Sequence, residues 1–195
     1  MSAEIRRKLF TVHDFHHMAE AGIIDENDRL ELIAGEIVAM TPIGYRHWEC
    51  VNRTTHVLIR KLDARAEVAP QGPARLDEMN EPQPDVAVFK AKRDFYNGEW
   101  PTPAEMLLVI EVADSSLAYD RGIKLSRYAL AGIPEYWIED LIHDALLVFR
   151  NPMADTYESV QTLHRGESVS PLAFPDVVIA VDDLIGESSP ITRSS

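Results

Sequence analysis

Two acids stand beside apolar runs that ought to be buried. Asp85 opens the stretch "DVAVF", and Glu111 falls inside "MLLVIEVA". A carboxylate placed against a core is a local conflict of the kind that collects at functional sites. If strands 85–89 and 106–112 pair antiparallel across the segment between them, matching Phe89 with Leu107 sets Asp85 directly opposite Glu111. Directly opposed side chains share a face and lie roughly 5 Å apart. Two ionised acids there repel one another, and a divalent cation removes that penalty. Oxygen ligands from two carboxylates suit Mg²⁺ or Mn²⁺, which keep several waters and accept phosphate oxygens as further ligands. Two other outcomes stand beside this one: one acid stays protonated, or the register slips and the pair never meets.

A cation follows on the next predicted helix. Asp120, Lys124 and Arg127 share a face at i, i+4 and i+7, and the helix starts a few residues after Glu111, so Lys124 can return toward the acids. A lysine beside a phosphate can orient water or offset charge that develops on the phosphoryl group. The plainer reading is an exposed Asp120–Lys124 pair worth ~0.3–0.5 kcal/mol.

The elements that must position these residues can be read from periodicity and punctuation. "TVHDFHHMAEAG" predicts a short helix capped by Thr11 and stopped at Gly22. "RLELIAGEIVAM" predicts a hairpin turning at Ala34-Gly35. A long helix is expected over 45–62, with Trp48, Val51, Thr55, Leu58, Ile59 and Leu62 as its apolar stripe. Strands are expected near 66–70, at "ARLD", at 85–89 and at 106–112, the last apolar on both faces as a covered central strand is. The polar segment 90–103 reads as a loop. A helix over 117–131 follows, with Ser115 or Ser116 as N-cap and Gly132 as stop. "EYWIED", "ALLVFR" and "TYESVQTL" read as further strands. The core order is αβββαβ, an α/β arrangement of a mixed sheet packed by helices. It forms one domain over 1–186, and residues 187–195 read as a disordered tail.

Composition narrows the setting. The 195 residues carry a formal net charge of −13, which argues against broad electrostatic affinity for nucleic acid. A nucleic-acid substrate would need a local basic surface, or a metal that neutralises clustered acids. Arg46, Arg53 and Arg60, at heptad spacing on the long helix, offer such a stripe or else a solvated, salt-bridged face. The single cysteine, Cys50, excludes an internal disulfide and suits a reducing, cytoplasmic home. No run approaches the ~20 apolar residues of a membrane span. His13 and His17 have i, i+4 spacing that can hold a metal, but no third ligand is evident, and His16 points elsewhere. Cys50 carries no nucleophile signature, and Tyr136-Trp137 reads as packing.

Four stretches carry a resemblance: "LELIAGEIV", "EPQPDVAVF", "LLVIEVADSS" and "DRGIKLSRYALAGIPEYWIED". In that order and spacing they resemble the Uma-two family of restriction endonucleases, within the PD-(D/E)XK nuclease superfamily, over roughly residues 10–185. The resemblance implies a restriction-endonuclease-like core and a Mg²⁺- or Mn²⁺-dependent endonuclease hydrolysing phosphodiester bonds, most simply in DNA. It implies Asp85, Glu111 and the carbonyl of Val112 as metal ligands. The superfamily's Glu-x-Lys strand motif reads Glu111-Val112-Ala113 here, so the lysine's role passes to Lys124. Glu31 is implied as an extra acid, although alone it looks like a solvent-face residue of an alternating strand. His47 stands where relatives carry a histidine, lining the cleft or capping the helix. Homodimerisation is the superfamily's habit. Two other functions remain open: a catalytically silent dimeric binding or regulatory module, and a metal-dependent phosphohydrolase acting on small substrates, which needs no basic groove.

Overall fold

The structure is a computed structural model that describes residues 7–25, 27–40, 42–93 and 95–186, with Phe95 described by its backbone alone. The tail 187–195 lies outside the described residues. The first helix, α1 (Val12–Glu20), starts at Thr11 as expected: the Thr11 hydroxyl accepts from the Asp14 amide while the Asp14 carboxylate accepts from the Thr11 amide. Strands β1 (Leu30–Ile33) and β2 (Glu36–Ala39) form the expected hairpin. Its two turn residues, Ala34 and Gly35, have φ of 52° and 74°, the left-handed pair that a two-residue hairpin turn requires.

The stretch "ARLD" is not a strand, which corrects the sequence reading. It leads into a tight turn in which the Asp77 carboxylate accepts from the Met79 amide and the Asn80 side chain, the local bonding that makes Asp and Asn turn formers. That turn holds the hairpin. Leu32 and Glu81 exchange backbone hydrogen bonds, and the Ala34 amide donates to Asn80 Oδ1 at 2.7 Å. A Cβ at Gly35 would sit 2.8 Å from Leu9 Cβ and 3.1 Å from the Phe10 carbonyl oxygen at a φ of 74°, a crowded left-handed position that favours glycine.

Helix α2 (Tyr45–Leu62) has the bounds read from the sequence. Its buried stripe differs: Cys50, Val51, Thr54, Leu58 and Leu62 face the sheet, while Trp48 and Ile59 are 53% and 51% exposed. The small polar Thr54 can be buried because it donates to a carboxylate on the sheet.

Six strands form one mixed sheet in the order β3 (Ala66–Pro70), β4 (Val86–Lys90), β5 (Met106–Ala113), β6 (Glu135–Asp140), β7 (Ala145–Met153), β8 (Thr156–His164). All neighbours are antiparallel except β5 and β6. Their crossover is the expected helix with one interruption: α3 (Leu117–Tyr119), a π turn over Asp120–Lys124, then α4 (Leu125–Leu130). The described chain thus follows the αβββαβ order. A two-stranded ribbon, β9 (Ser168–Val169) with β10 (Ile179–Ala180), precedes α5 (Val181–Ile185). The expected C-terminal strands are β7 and β8; the ribbon and α5, which packs on α2, were not anticipated.

Alternation along the sheet separates two cores. Val86, Val88, Ile110, Val112 and Trp137 pack toward α2 and α5. Ala87, Val109, Ala113, Tyr136 and Ile138 pack with Tyr128 of α4. Glu111, between Ile110 and Val112, therefore faces α4.

Candidate active site

The register next to the acids agrees with the sequence reading. Val86 pairs with Ile110 and Val88 with Leu108, so continuing one residue past Val86 sets Asp85 against Glu111. Beyond Val88 a bulge pairs Phe89 with Met106 rather than Leu107, a correction confined to the far end of the pair. Asp85 lies just before β4, after Pro82 and Pro84, which keep that segment out of the ladder. Both acids are buried and line one cavity of about 330 Å³.

Each acid is held by named donors. Asp85 Oδ2 accepts from the Val112 amide at 2.8 Å and meets His47 Nε2 at 3.0 Å. Glu111 Oε1 accepts from Lys124 Nζ at 2.9 Å and from the Tyr128 hydroxyl at 2.7 Å. Glu31 is not a solvent-face residue, which corrects the sequence reading: it is 2% exposed. Its Oε1 accepts from the Gln83 amide at 2.7 Å and lies 2.9 Å from Lys124 Nζ. The hairpin, docked on the 77–81 turn, thus delivers Glu31 to the lysine. Lys124 bridges two carboxylates from different elements and is no exposed partner of Asp120 alone.

Asp120 and Lys124, at the two ends of the π turn, both face inward, and both are buried. Arg127 is not their companion. Tyr128, four residues beyond Lys124, takes the inward place and stacks near Tyr136, with ring centroids 5.0 Å apart. Ser116 holds the position before the helix but makes no cap bond; its hydroxyl donates to Asp120 Oδ2 at 2.5 Å.

Electrostatics follow from this crowding. Five carboxylates (Glu31, Asp85, Glu111, Asp114, Asp120) line the cavity with two cations, Arg29 and Lys124. Burial pushes the Glu111 carboxyl well above its ordinary range; Lys124 opposes the shift, and Asp120, Asp85 and Glu31 add to it. Burial also raises Asp120 to about 6, against Lys124 and the Ser116 hydrogen bond. For Lys124 burial works against the charge, but Glu111, Glu31 and Asp120 outweigh it and raise its pKa above the ordinary value. With two carboxylate oxygens at 2.9 Å, the lysine is the member that keeps its proton.

The donor set fits a hard divalent cation. All the acids offer oxygen, they outnumber the cations, and burial disfavours their shared charge, so an added positive ion would relieve Glu111. Among the described residues no group of three or more His, Cys, Asp or Glu side chains is arranged to hold a metal.

Other expectations resolve around this centre. His13 and His17 lie on an exposed face, with ring centroids 5.1 Å apart, and His17 meets Glu20. His16 meets Glu81 at 2.7 Å. Arg46 donates to the Leu141 carbonyl and Arg53 to Glu49, while Arg60 is exposed. Cys50 is buried and donates to Glu139 Oε2 at 2.6 Å, and burial raises its pKa. Glu139 also accepts from Thr54 at 2.7 Å, and burial raises it to about 7. The sequence reading missed Tyr128, Gln83 and Glu139. The i+4 spacing from Lys124 could have found Tyr128; the Gln83 amide and Glu139 act through contacts 52 and 85 residues away that no local pattern announces.

The mixed sheet with a helical crossover between its parallel strands, and acids meeting at the β4–β5 edge, define the restriction-endonuclease-like class. The family Uma2, described as "Putative restriction endonuclease", matches residues 12–182, and the chain belongs to that family. A solved structure of a "putative nuclease belonging to DUF820" from Anabaena variabilis ATCC 29413 is similar over 90% of this chain and 97% of that one. Its TM-score is 0.70 at 15% identity, a likeness of fold. No curated protein matches. Among the described residues no helix is long and apolar enough to cross a membrane.

Proposed function

We propose that the protein is a metal-dependent endonuclease that hydrolyses phosphodiester bonds in DNA. The observation that carries this reading is that Asp85 and Glu111 line one cavity while Lys124 Nζ bridges Glu111 and Glu31 at 2.9 Å. Asp85, Glu111 and the Val112 carbonyl would hold one or two Mg²⁺ or Mn²⁺ ions, with Glu31 alongside. Such an ion, when bound, lowers the pKa of water and draws charge from the phosphate.

The chain's own residues do the rest. The Val112 amide and His47 hold Asp85 in one orientation, and Tyr128 does the same for Glu111. Lys124 keeps a fixed positive charge where negative charge grows on the phosphate, in a largely buried setting where such a charge counts most. The same proposal includes a cytoplasmic setting, in which the buried Cys50 stays a thiol, and a homodimer, which sedimentation would check.

The test is incubation of supercoiled plasmid and short oligonucleotides with Mg²⁺, Mn²⁺ or EDTA, beside Asp85→Ala. Nicking that needs the metal and disappears in the variant is the expected result. Metal binding with cleavage of neither substrate would transfer the site to small phosphate esters. The absence of both would leave a binding module of the same fold.

A further inference from the structure

The most exposed aromatic side chains near the cavity belong to the first turn of α2. Tyr45 is 74% exposed and Trp48 53%, and their ring centroids lie 6.0 Å apart at 33°. Large apolar side chains left in water beside a site are costly unless something covers them. Two other residues of the same turn, Gly44 and His47, line the cavity that holds Asp85 and Glu111. Trp48 lies one helical turn beyond Gly44, on nearly the same side of the helix. The aromatic pair therefore alternates along the chain with Gly44 and His47, which line the cavity, although neither ring forms part of its wall. The cavity wall itself also leaves bonding capacity unspent: among the described residues, His47 Nδ1 and the Tyr119 hydroxyl are buried without a hydrogen-bond partner, and both residues line it.

What covers this edge must bring phosphate to the acids and a flat apolar face to the aromatics. A continuous duplex fits poorly. Its bases are stacked inside, out of reach of the two rings, and its affinity comes from many phosphate contacts. The stripe that could have supplied them is largely engaged: Arg46 is bonded to the Leu141 carbonyl and Arg53 to Glu49, and the exposed Arg60 lies ~20 Å along α2 from His47, in a chain of net charge −13. An unpaired strand exposes its bases, so stacking adds affinity that the phosphate contacts alone do not supply.

We infer that the site acts on unpaired nucleic-acid strand, and that Tyr45 and Trp48 form the platform on which a base next to the scissile phosphate stacks. This rests on the nuclease reading for the chemistry, but the binding step can be tested apart from it. Trp48 reports on its own occupation. Trp137 is fully buried, and a Trp48→Phe chain separates the Trp48 signal from that of exposed Trp100.

The experiment titrates the protein with a short single strand and with a duplex of the same length, in Ca²⁺, following tryptophan fluorescence and Kd; cleavage is read in parallel with Mg²⁺. The expected result is quenching by the single strand, missing in Trp48→Phe, and a preference over duplex of about tenfold or more. Trp48→Ala should weaken single-strand binding roughly five- to a hundredfold, and Trp48→Phe should restore most of it. Because both rings are exposed, these variants should keep the wild-type melting temperature. Metal-dependent cutting of duplex as fast as single strand, unchanged in Trp48→Ala, would overturn the inference and leave the nuclease reading intact. Single-strand binding through Trp48 with no cleavage in any metal would keep the stacking platform and remove the nuclease reading on which the chemistry rests. Trp48→Ala that turns a dimer into a monomer without touching oligonucleotide binding would overturn it too, by assigning the aromatic edge to a second copy of the chain.

Discussion

Two buried carboxylate clusters sit at opposite ends of the same part of the sheet, and they are built on opposite plans. At the start of β6, Glu135 is fully buried and fully answered: Oε1 accepts from Trp137 Nε1 at 2.9 Å and Arg150 Nε at 2.7 Å, and Oε2 accepts from the Leu172 amide at 2.6 Å. One acid meets one guanidinium, and the remaining oxygen goes to backbone, so nothing is left for a ligand. In the cavity past the end of β5, five acids share two cations, and one lysine is divided between Glu31 and Glu111. Burial of a charge is costly unless it is paired. The first cluster meets that cost internally; the second keeps an excess of negative charge facing an opening. The difference distinguishes an acid whose bonding is complete from one left open to a ligand, which burial cannot do, because both are buried.

The comparison can be broken by experiment, beginning with the largest expected effect. Glu135→Ala leaves Arg150 without its partner and should destabilise the fold by about 3–5 kcal/mol, read by urea unfolding, while the activity of the remaining folded protein stays at the wild-type level. A strong loss of specific activity instead would mean that the two clusters are coupled. Lys124→Ala should do the reverse: cleavage falls roughly 10²–10³-fold, and Mg²⁺ raises the melting temperature more than in wild type, because Glu31 and Glu111 then lack their cation. A metal-induced rise no larger than wild type would show that the acids do not need one.

Glu139 lies between the two cases. It is fully buried and answered only by the neutral Cys50 and Thr54. Its carboxyl is held protonated up to about pH 7 by burial, against an ordinary value of 4.5. The folded state therefore binds more protons than the unfolded state between those values, and stability falls as pH rises through that window, by at most roughly 3 kcal/mol. Glu139→Gln should flatten this slope in denaturation series from pH 4 to 8. A slope equal to wild type would place the proton elsewhere.

Much of the scaffold was legible in the chain. Thr11 with Asp14, the Ala34-Gly35 turn and the bounds of α2 are local devices, each specified by residues a few positions apart. The opposition of Asp85 and Glu111 was legible too, since register follows from two strands with a known gap, although the bulge after Val88 shifted its far end. The failures share one cause. "ARLD" has strand-like residues but turns because Asp77 and Asn80 bond to one another. Trp48 has the hydrophobicity of a core residue but lies outside, while the polar Thr54 of the same helix is buried against Glu139. Glu31 alternates like a solvent residue but is turned inward by Lys124 and the Gln83 amide.

The amino-acid order alone determined most of the core helices and strands, and the register that sets two acids across a pair of neighbouring strands. Those outcomes depend on periodicity and capping, which act over a turn or a pleat. Only the tertiary structure decided that one lysine would serve two acids, that Asp120 would be buried beside it, and that an aromatic pair would stand uncovered near the cavity. Each of these depends on which distant surfaces meet, and so on how the burial cost of every charge is met across the whole fold.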